Sequence, residues 1–566
     1  MARDLVAQSR VGTGSPVAGC RAVAVVFSVA PPGEKTLVRN FELPGRSPVH
    51  GMNGMVAASH PLATLAAVNV LQGGGNAIDA AVAACAVQCV VEPQSTGIGG
   101  DCFVLYAPAD GDVIAYNGSG RAPEAATPEW YAERGITEIG VTSPHAVTVP
   151  GAIDAWARLV GDHGTMDLGA LLRPAIAHAR DGFPVSSRVA GDWAANANHL
   201  SHDAGTQKTY LPDGKPPAVG SIHRLPALAV TLEHIARDGR NGFYAGPVAR
   251  DIVSHLNALG GLHTMTDFAT ARGEYVEPIH TGYGGYTVHE CPPNGQGIAA
   301  LEMLNILAGF DLAAMEPLSA ERLHLEIEAK RLAYGDRDAL IADPSQISVP
   351  VQHLLSEDHA KALRSRISRE TTMVAVPPSP FPTHADTIYL CVVDRDHNAV
   401  SFINSLFKGF GSGLSGPESG VMLHNRGHGF VLEAGHPNCI APGKRPLHTI
   451  IPGMLTKDSR AVMPFGVMGG HYQAMGHAHL LSNLIDFGLD LQEAIDLPRV
   501  FAPQQGAVEV ESGIPHATVE GLRKLGHETR APENPIGGGQ AIWIDWKEGV
   551  LTGASDPRKD GCAIGF

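Results

Sequence analysis

The hydrophobic pattern sharpens after Gly51–Met52. In PLATLAAVNVL (61–71) apolar residues recur at helical spacing, with Ser59 placed to cap the helix and Gly73–Gly75 placed to stop it. Asn76 then caps AIDAAVAACAVQCVV, whose small apolar residues occupy most faces, so the pattern predicts a buried helix. QSTGIGGDCFVLY reads as a Gly-rich turn entering a strand, and DVIAYNGSGRAP as a strand leaving into a loop. Residues 151–370 read mostly as helices, clearest in AIDAWARLVGDH and ERLHLEIEAKRLAYGDRDAL. The Pro-rich stretch 371–386 has little pattern and reads as a loop or linker. Directly after it the period becomes that of strands. TIYLCVVD, a turn at RDHN and AVSFINSLF predict a hairpin with apolar faces, and VMLHN beyond GFGSGLSG reads as another strand. AVMPFGVMGG, the helical HAHLLSNLIDFG and short strands complete the chain. Elements alternate in blocks rather than as strict βαβ units, which predicts layered sheets with helices outside.

Composition narrows this picture. Of 566 residues, 44% are hydrophobic and 17% charged, which fits a compact enzyme with a sizeable core. A formal charge of -16 argues against a nucleic-acid partner, since phosphate binding needs clustered Lys and Arg. No apolar stretch reaches the roughly 18–20 residues that span a bilayer, so no membrane partner is expected. Residues 1–37 lack periodicity. Arg21 followed by AVAVVFSVA superficially resembles a signal peptide, but the apolar part is short and Asp4 lies in the leader. One reading therefore starts the native chain at Val38. The eight cysteines form no CxxC pair and several sit in apolar runs, as buried thiols do. This leans toward the cytoplasm and leaves a periplasmic or secreted setting open.

Few motifs carry chemistry unaided. Gly411, Gly413 and Gly416 match GxGxxG, but a dinucleotide site needs a helix after the glycines, and in a chain with 66 glycines the match reads as chance. His424 and His428 are four apart, and His471, His477 and His479 cluster. HNRGHG is a poor helix, and with 27 histidines ordinary hydrogen-bonding roles are the default, so neither a metal nor a cofactor is expected. No GxSxG elbow anchors a serine triad. The stronger signal is a junction: the linker ends at Asp386 and Thr387 opens an apolar strand.

MVAASHPLATLAAVNVLQGGGNAIDAAVA (55–83) followed by TGIGGDCFVLY resembles the opening of the γ-glutamyltransferase family. VTVPGAIDAW (147–156), EAKRLAYGDRD (328–338) and KRPLHTIIPGM (444–454) resemble later landmarks, and DTIYLCVVDRDHNAVSFINS (386–405) resembles the segment around the family's processing site. The match runs from about residue 51 to the end, with long motifs in the right order. It implies an α+β fold, the four-layer αββα sandwich of N-terminal-nucleophile hydrolases. It further implies a proenzyme that cuts itself at Asp386–Thr387. The expected parts are an N-terminal extension (1–50), a large subunit (51–386) and a small subunit (387–566) that stay together, with a dimer of such heterodimers left open. A Thr hydroxyl is a weak nucleophile, and the α-amine freed by cleavage, with an ordinary pKa of about 7.7–8.0, can serve as its base. The resemblance assigns Ser405 as the hydroxyl partner of Thr387, and Gly469 and Gly470 as oxyanion donors through their N–H groups.

The chain departs from the transferase pattern where those enzymes hold an α-amino acid head. An expected Asp falls at Gly429, an Asn at Phe407, and a pair of serines at His448 and Thr449. The usual Arg lies in the region of Arg121 or Ser119. Arg426 remains and can pair a carboxylate bidentately, with His448 as a further donor. SFINSLFKGFGSG and NGSGRAP resemble the subgroup containing oxamate amidohydrolases, so the expected substrate is a small amide bearing a neighbouring carboxylate. The rivals are a glutathione hydrolase or transpeptidase, a β-lactam side-chain acylase, a metal amidohydrolase, and an inactive binding relative.

Overall fold

A computed structural model describes residue 42 and residues 45–373 and 386–566. The chain divides into two units, Met1–Val38 and Arg39–Phe566. The readings made of residues 1–37, including the start at Val38, lie outside the described residues, as does most of the Pro-rich linker.

Fourteen strands build two seven-stranded sheets: β1 (Val49–Gly51), β2 (Gly54–Ala58), β3 (Asp101–Ala107), β4 (Ile114–Gly118), β5 (Glu274–Val276), β6 (Ile279–Tyr283), β7 (Tyr286–Glu290), β8 (Asp386–Asp394), β9 (Ala399–Phe407), β10 (Gly453–Lys457), β11 (Arg460–Met468), β12 (Gly538–Asp545), β13 (Val550–Ser555) and β14 (Cys562–Gly565). One sheet has the order β14-β2-β8-β9-β3-β4-β5, the other β1-β13-β12-β11-β10-β7-β6. The hairpin strands β8 and β9 run antiparallel at the centre of the first sheet, flanked by β2 and β3.

Side-chain alternation along β8 shows the layering. Ile388, Leu390 and Val392 face a core shared with the helices α1 (Pro61–Gln72), α2 (Ala77–Val91) and α3 (Ala152–His163). Tyr389, Cys391 and Val393 face a second core between the sheets, against Met454, Met468, Ile542 and Leu551. The far side of the second sheet packs Leu455, Phe465 and Val467 on α4 (Gly297–Leu307), α5 (Ala320–Leu340) and α7 (Tyr472–Ile485), with α6 (Glu357–Arg364) beside them. The architecture is therefore helix, sheet, sheet, helix. Both faces of β8 are buried, which is why its sequence is an almost unbroken apolar run.

Helix α2 is buried at every position, as its small apolar residues require. Asn76 caps it in a reciprocal box with Asp79. Two local expectations need correction. His60, not Ser59, caps α1: its ring accepts from the Leu62 N–H while Pro61 takes the first helical position. Ser59 instead donates to Glu92 at 2.7 Å. VMLHN is no strand; Met422 and Leu423 make only isolated bridges to Ser415 and Gly99. The glycine run before it is a loop in which Gly411 and Gly413 adopt left-handed backbone, and no helix follows it directly. Among the described residues, no helix is long and apolar enough to cross a membrane.

Candidate active site

The centre of the site is the entry to β8. The β8–β9 register pairs Asp386 with Phe407 and Ile388 with Asn404, so Thr387 faces two residues, Ser405 and Leu406, across an irregularity. This places Thr387 Oγ 3.2 Å from Ser405 Oγ, both fully buried. The Phe407 N–H donates to the same Ser405 oxygen at 2.8 Å. Phe407 has φ +81, a backbone region that bulky residues rarely occupy and one that strained functional sites often retain.

The opposite wall comes from the end of β11 and the start of α7. Gly469 (φ +115) and Gly470 (φ +58) form the connecting turn, and their N–H groups donate to no partner among the described residues. A Cβ on Gly469 would lie 3.0 Å from Gly537 Cα, so a side chain there meets both a tight contact and an unfavourable backbone conformation. Gln473, in the first turn of α7, was not foreseen. Its carbonyl accepts from the Ile451 N–H at 3.0 Å, which turns its amide N–H toward Thr387 Oγ at 3.5 Å.

Arg426 closes the site. It is fully buried, and its guanidinium carbon lies 4.0 Å over the Phe407 ring. Nη1 donates to Thr449 Oγ1 at 2.8 Å, while Nε and Nη2 find no hydrogen-bond acceptor. Burial pulls its pKa down to about 9, partly offset by nearby Asp101, so it stays cationic at neutral pH. Burial alone would raise the Asp101 carboxyl, but His424, His448 and Arg426 outweigh it and hold it below its usual value. His448 is pushed down to about 3 by burial and by Arg426. As a neutral ring it accepts from the Ile450 N–H at Nδ1 (3.4 Å) and donates from Nε2 to Asp101 (3.0 Å). Both ring nitrogens are thus engaged, which makes His448 a brace rather than a donor to a substrate.

Gln296 ties the two walls together. Its amide N–H groups donate to the Gly470 carbonyl (2.9 Å) and the Thr449 carbonyl (2.7 Å). Arg337 orients it, donating to Gln296 Oε1 at 2.7 Å and to His471 at 3.0 Å. Sequence reading passed over both, because a polar residue outside a reactive pattern leaves no signal of its own. Gln296 directly precedes a helix, and Arg337 lies in the EAKRLAYGDRD motif.

The remaining candidates are placed apart. Ser119 Oγ accepts from Asn294, whose carbonyl receives the His448 N–H, so it backs the wall. Arg121 is spent on the Gly443 carbonyl (3.0 Å), Asp343 (3.4 Å) and Glu274 (3.7 Å), and bonds to none of Thr387, Arg426, His448 or Thr449. The histidines do not converge. His424 donates to Thr148, His428 to Ile139, His477 meets Glu290 and His479 meets Glu326. Two groupings among the described residues have metal-ligand spacing, His324/Glu328/His527 and Glu302/Asp336/His359, and neither includes those histidines.

Known proteins resemble this chain over nearly its whole length. The glutathione hydrolase-like YwrD proenzyme of Bacillus subtilis is 37% identical over 528 residues, covering 92% of this chain and 99% of that protein. The oxamate amidohydrolase proenzyme of Klebsiella pneumoniae is 36% identical over 527 residues, covering 91% and 98%. The crystal structure of cephalosporin acylase from Bacillus halodurans superposes with a TM-score of 0.87 at 40% identity, over 95% of this chain and 99% of that one. The Gamma-glutamyltranspeptidase family model matches residues 63–566, and the chain belongs to that family of N-terminal-nucleophile amidohydrolases.

Proposed function

We propose that this proenzyme cuts itself at Asp386–Thr387 and then hydrolyses a small amide that carries a neighbouring carboxylate, oxamate being the simplest. Thr387 Oγ attacks the Asp386 carbonyl carbon, the C–N bond breaks as its nitrogen takes the hydroxyl proton, and water hydrolyses the resulting ester. The products are the Asp386 carboxylate and a Thr387 with free hydroxyl and α-amine. That amine accepts the hydroxyl proton when Thr387 attacks substrate, with Ser405 holding the oxygen in line. The Gly469 and Gly470 N–H groups take the oxyanion, ammonia leaves with the proton, and water releases the acid.

The observation carrying the substrate class is the unsatisfied edge of Arg426. Nε–H and Nη2–H point side by side, the fork that a carboxylate fills with two parallel bonds. Phe407 covers the guanidinium. Gly429 supplies no charge where γ-glutamyl enzymes are expected to hold an ammonium, which disfavours an α-amino acid head. A carboxylate on a β-lactam side chain would also suit Arg426, and the 40% identity to a cephalosporin acylase favours testing it. The experiment is a substrate panel on purified enzyme. Ammonia release from oxamate without turnover of γ-glutamyl-p-nitroanilide supports the proposal. Turnover of the anilide or a cephalosporin amide, with oxamate inert, defeats it.

A further inference from the structure

Away from Thr387, three outer helices bring Glu302 (on α4), Asp336 (on α5) and His359 (on α6) together. His359 Nε2 lies 2.8 Å from Asp336 Oδ2 and 3.3 Å from Glu302 Oε1. An imidazole nitrogen carries one hydrogen, and this one is directed at Asp336. Both Glu302 oxygens are left without a hydrogen-bond donor, although the residue is only 2% exposed. A carboxylate so buried, with a single imidazole shared with Asp336 at 3.3 Å, has its charge only partly met and favours a proton or a metal cation.

The other histidine grouping has no such need. His324 Nδ1 and His527 Nε2 are bonded to each other at 2.7 Å, and Glu328 receives Arg331, Thr372 and the Met373 N–H.

We propose that Glu302, Asp336 and His359 form a binding site for a divalent transition cation, of the class of Mn2+ or Zn2+. Two carboxylate oxygens and one imidazole suit these ions. Ligand atoms about 2.0–2.2 Å from a common ion lie roughly 3.0–3.5 Å from one another; here His359 lies 2.8 and 3.3 Å from its two carboxylates, and all three ligand atoms fall within 4.8 Å of one another. Asp336 is about a quarter exposed (26%), which gives the ion an entry and leaves room for water ligands. The ion would pin three helices at once. α4 begins directly after Gln296, and Asp336 is followed by Arg337, so the pinned helices carry the two residues that hold the Gly470 turn. Its role is to stiffen that scaffold.

The test uses full-length protein stripped by chelator, dialysed, and titrated with MnCl2 alone and with ZnCl2 alone. Bound metal per chain and the thermal midpoint are followed. About one equivalent is expected, with a midpoint raised by several degrees. Glu302→Gln and Asp336→Asn should each weaken that binding at least tenfold and abolish the shift. Should Glu302→Gln fail to fold, the more exposed Asp336→Asn decides. Equal metal uptake by wild type and Asp336→Asn, or none by wild type, overturns the proposal, and a midpoint raised in metal-free Glu302→Gln would then identify a proton as what the site holds.

Discussion

Replacing Arg426 by Met should destroy activity while leaving stability nearly unchanged. The substitution removes a fully buried cation whose Nε and Nη2 have no acceptor, and leaves a flexible apolar chain of similar length. It forfeits one hydrogen bond to Thr449, worth about 0.5–3 kcal/mol, and the stacking on Phe407, worth about 0.5–2 kcal/mol. Against this stands relief of a desolvated, half-satisfied charge. Apolar replacement of buried charged groups has stabilised proteins by about 1–4 kcal/mol. Losing the cation beside buried Asp101 adds to the losses, so the opposing effects nearly cancel and a net change close to zero is expected. The comparison belongs in the Thr387→Ala background, so that both chains stay uncut and urea unfolding is compared like for like. For catalysis, two charged hydrogen bonds to the substrate carboxylate, about 1.5–3 kcal/mol each, correspond to a loss of about 10²–10⁴ in kcat/KM. Steady-state ammonia release reads this directly. A variant less stable than its parent by more than about 1 kcal/mol, with unchanged kcat/KM, would show the guanidinium to be a structural strut and refute the reasoning.

Thr387→Ala should run as one band on a denaturing gel where wild type should give pieces of 1–386 and 387–566, while Thr387→Ser should still be cut. Gln296→Ala removes the donors to the Gly470 and Thr449 carbonyls, so kcat should fall about 10–100-fold with a smaller change in KM, measured by steady-state kinetics. Gly469→Ala puts a Cβ on φ +115 beside Gly537 and should cost about 10²–10³ in kcat, read in the same assay. Burial would raise the Asp556 carboxyl, but Arg499 and Arg558 outweigh it and hold it at about 2, below its ordinary 3.8. Its charge therefore contributes stability above pH 4 that is lost as pH falls through 2, about 2 kcal/mol in all. Denaturation of wild type and Asp556→Asn should show a gap that closes as the solution is acidified through that window.

The legible parts of this fold were those where burial constrains every position. β8 and β9 pack on both faces, so their apolar runs and the RDHN turn read correctly to within a residue. α2 and its Asn76 cap were equally plain. The α1 cap was misplaced by one residue because His60 is rarely chosen as a cap, yet Pro61 fixes where the helix starts. VMLHN has strand composition, but each of its bridges pairs a single residue, which a periodic pattern does not foretell. At the site, Thr387 and Ser405 came from motif order, whereas Gln296, Gln473 and Arg337 act through carbonyls and amides distant in sequence. Arg121 shows the converse: a charge in a suggestive motif that the fold commits elsewhere.

The interleaving of β2, β8, β9 and β3 has a kinetic meaning. Before the cut, denatured chain regains its sheet by a first-order process, since β2 and β8 are tethered. After the proposed cut at Asp386–Thr387, the same strands would belong to separate molecules, and recovery from denaturant would become second order, slowing as the protein is diluted. The proposed cut would thus convert a refoldable polypeptide into an assembly that, once taken apart, competes with misassociation to return.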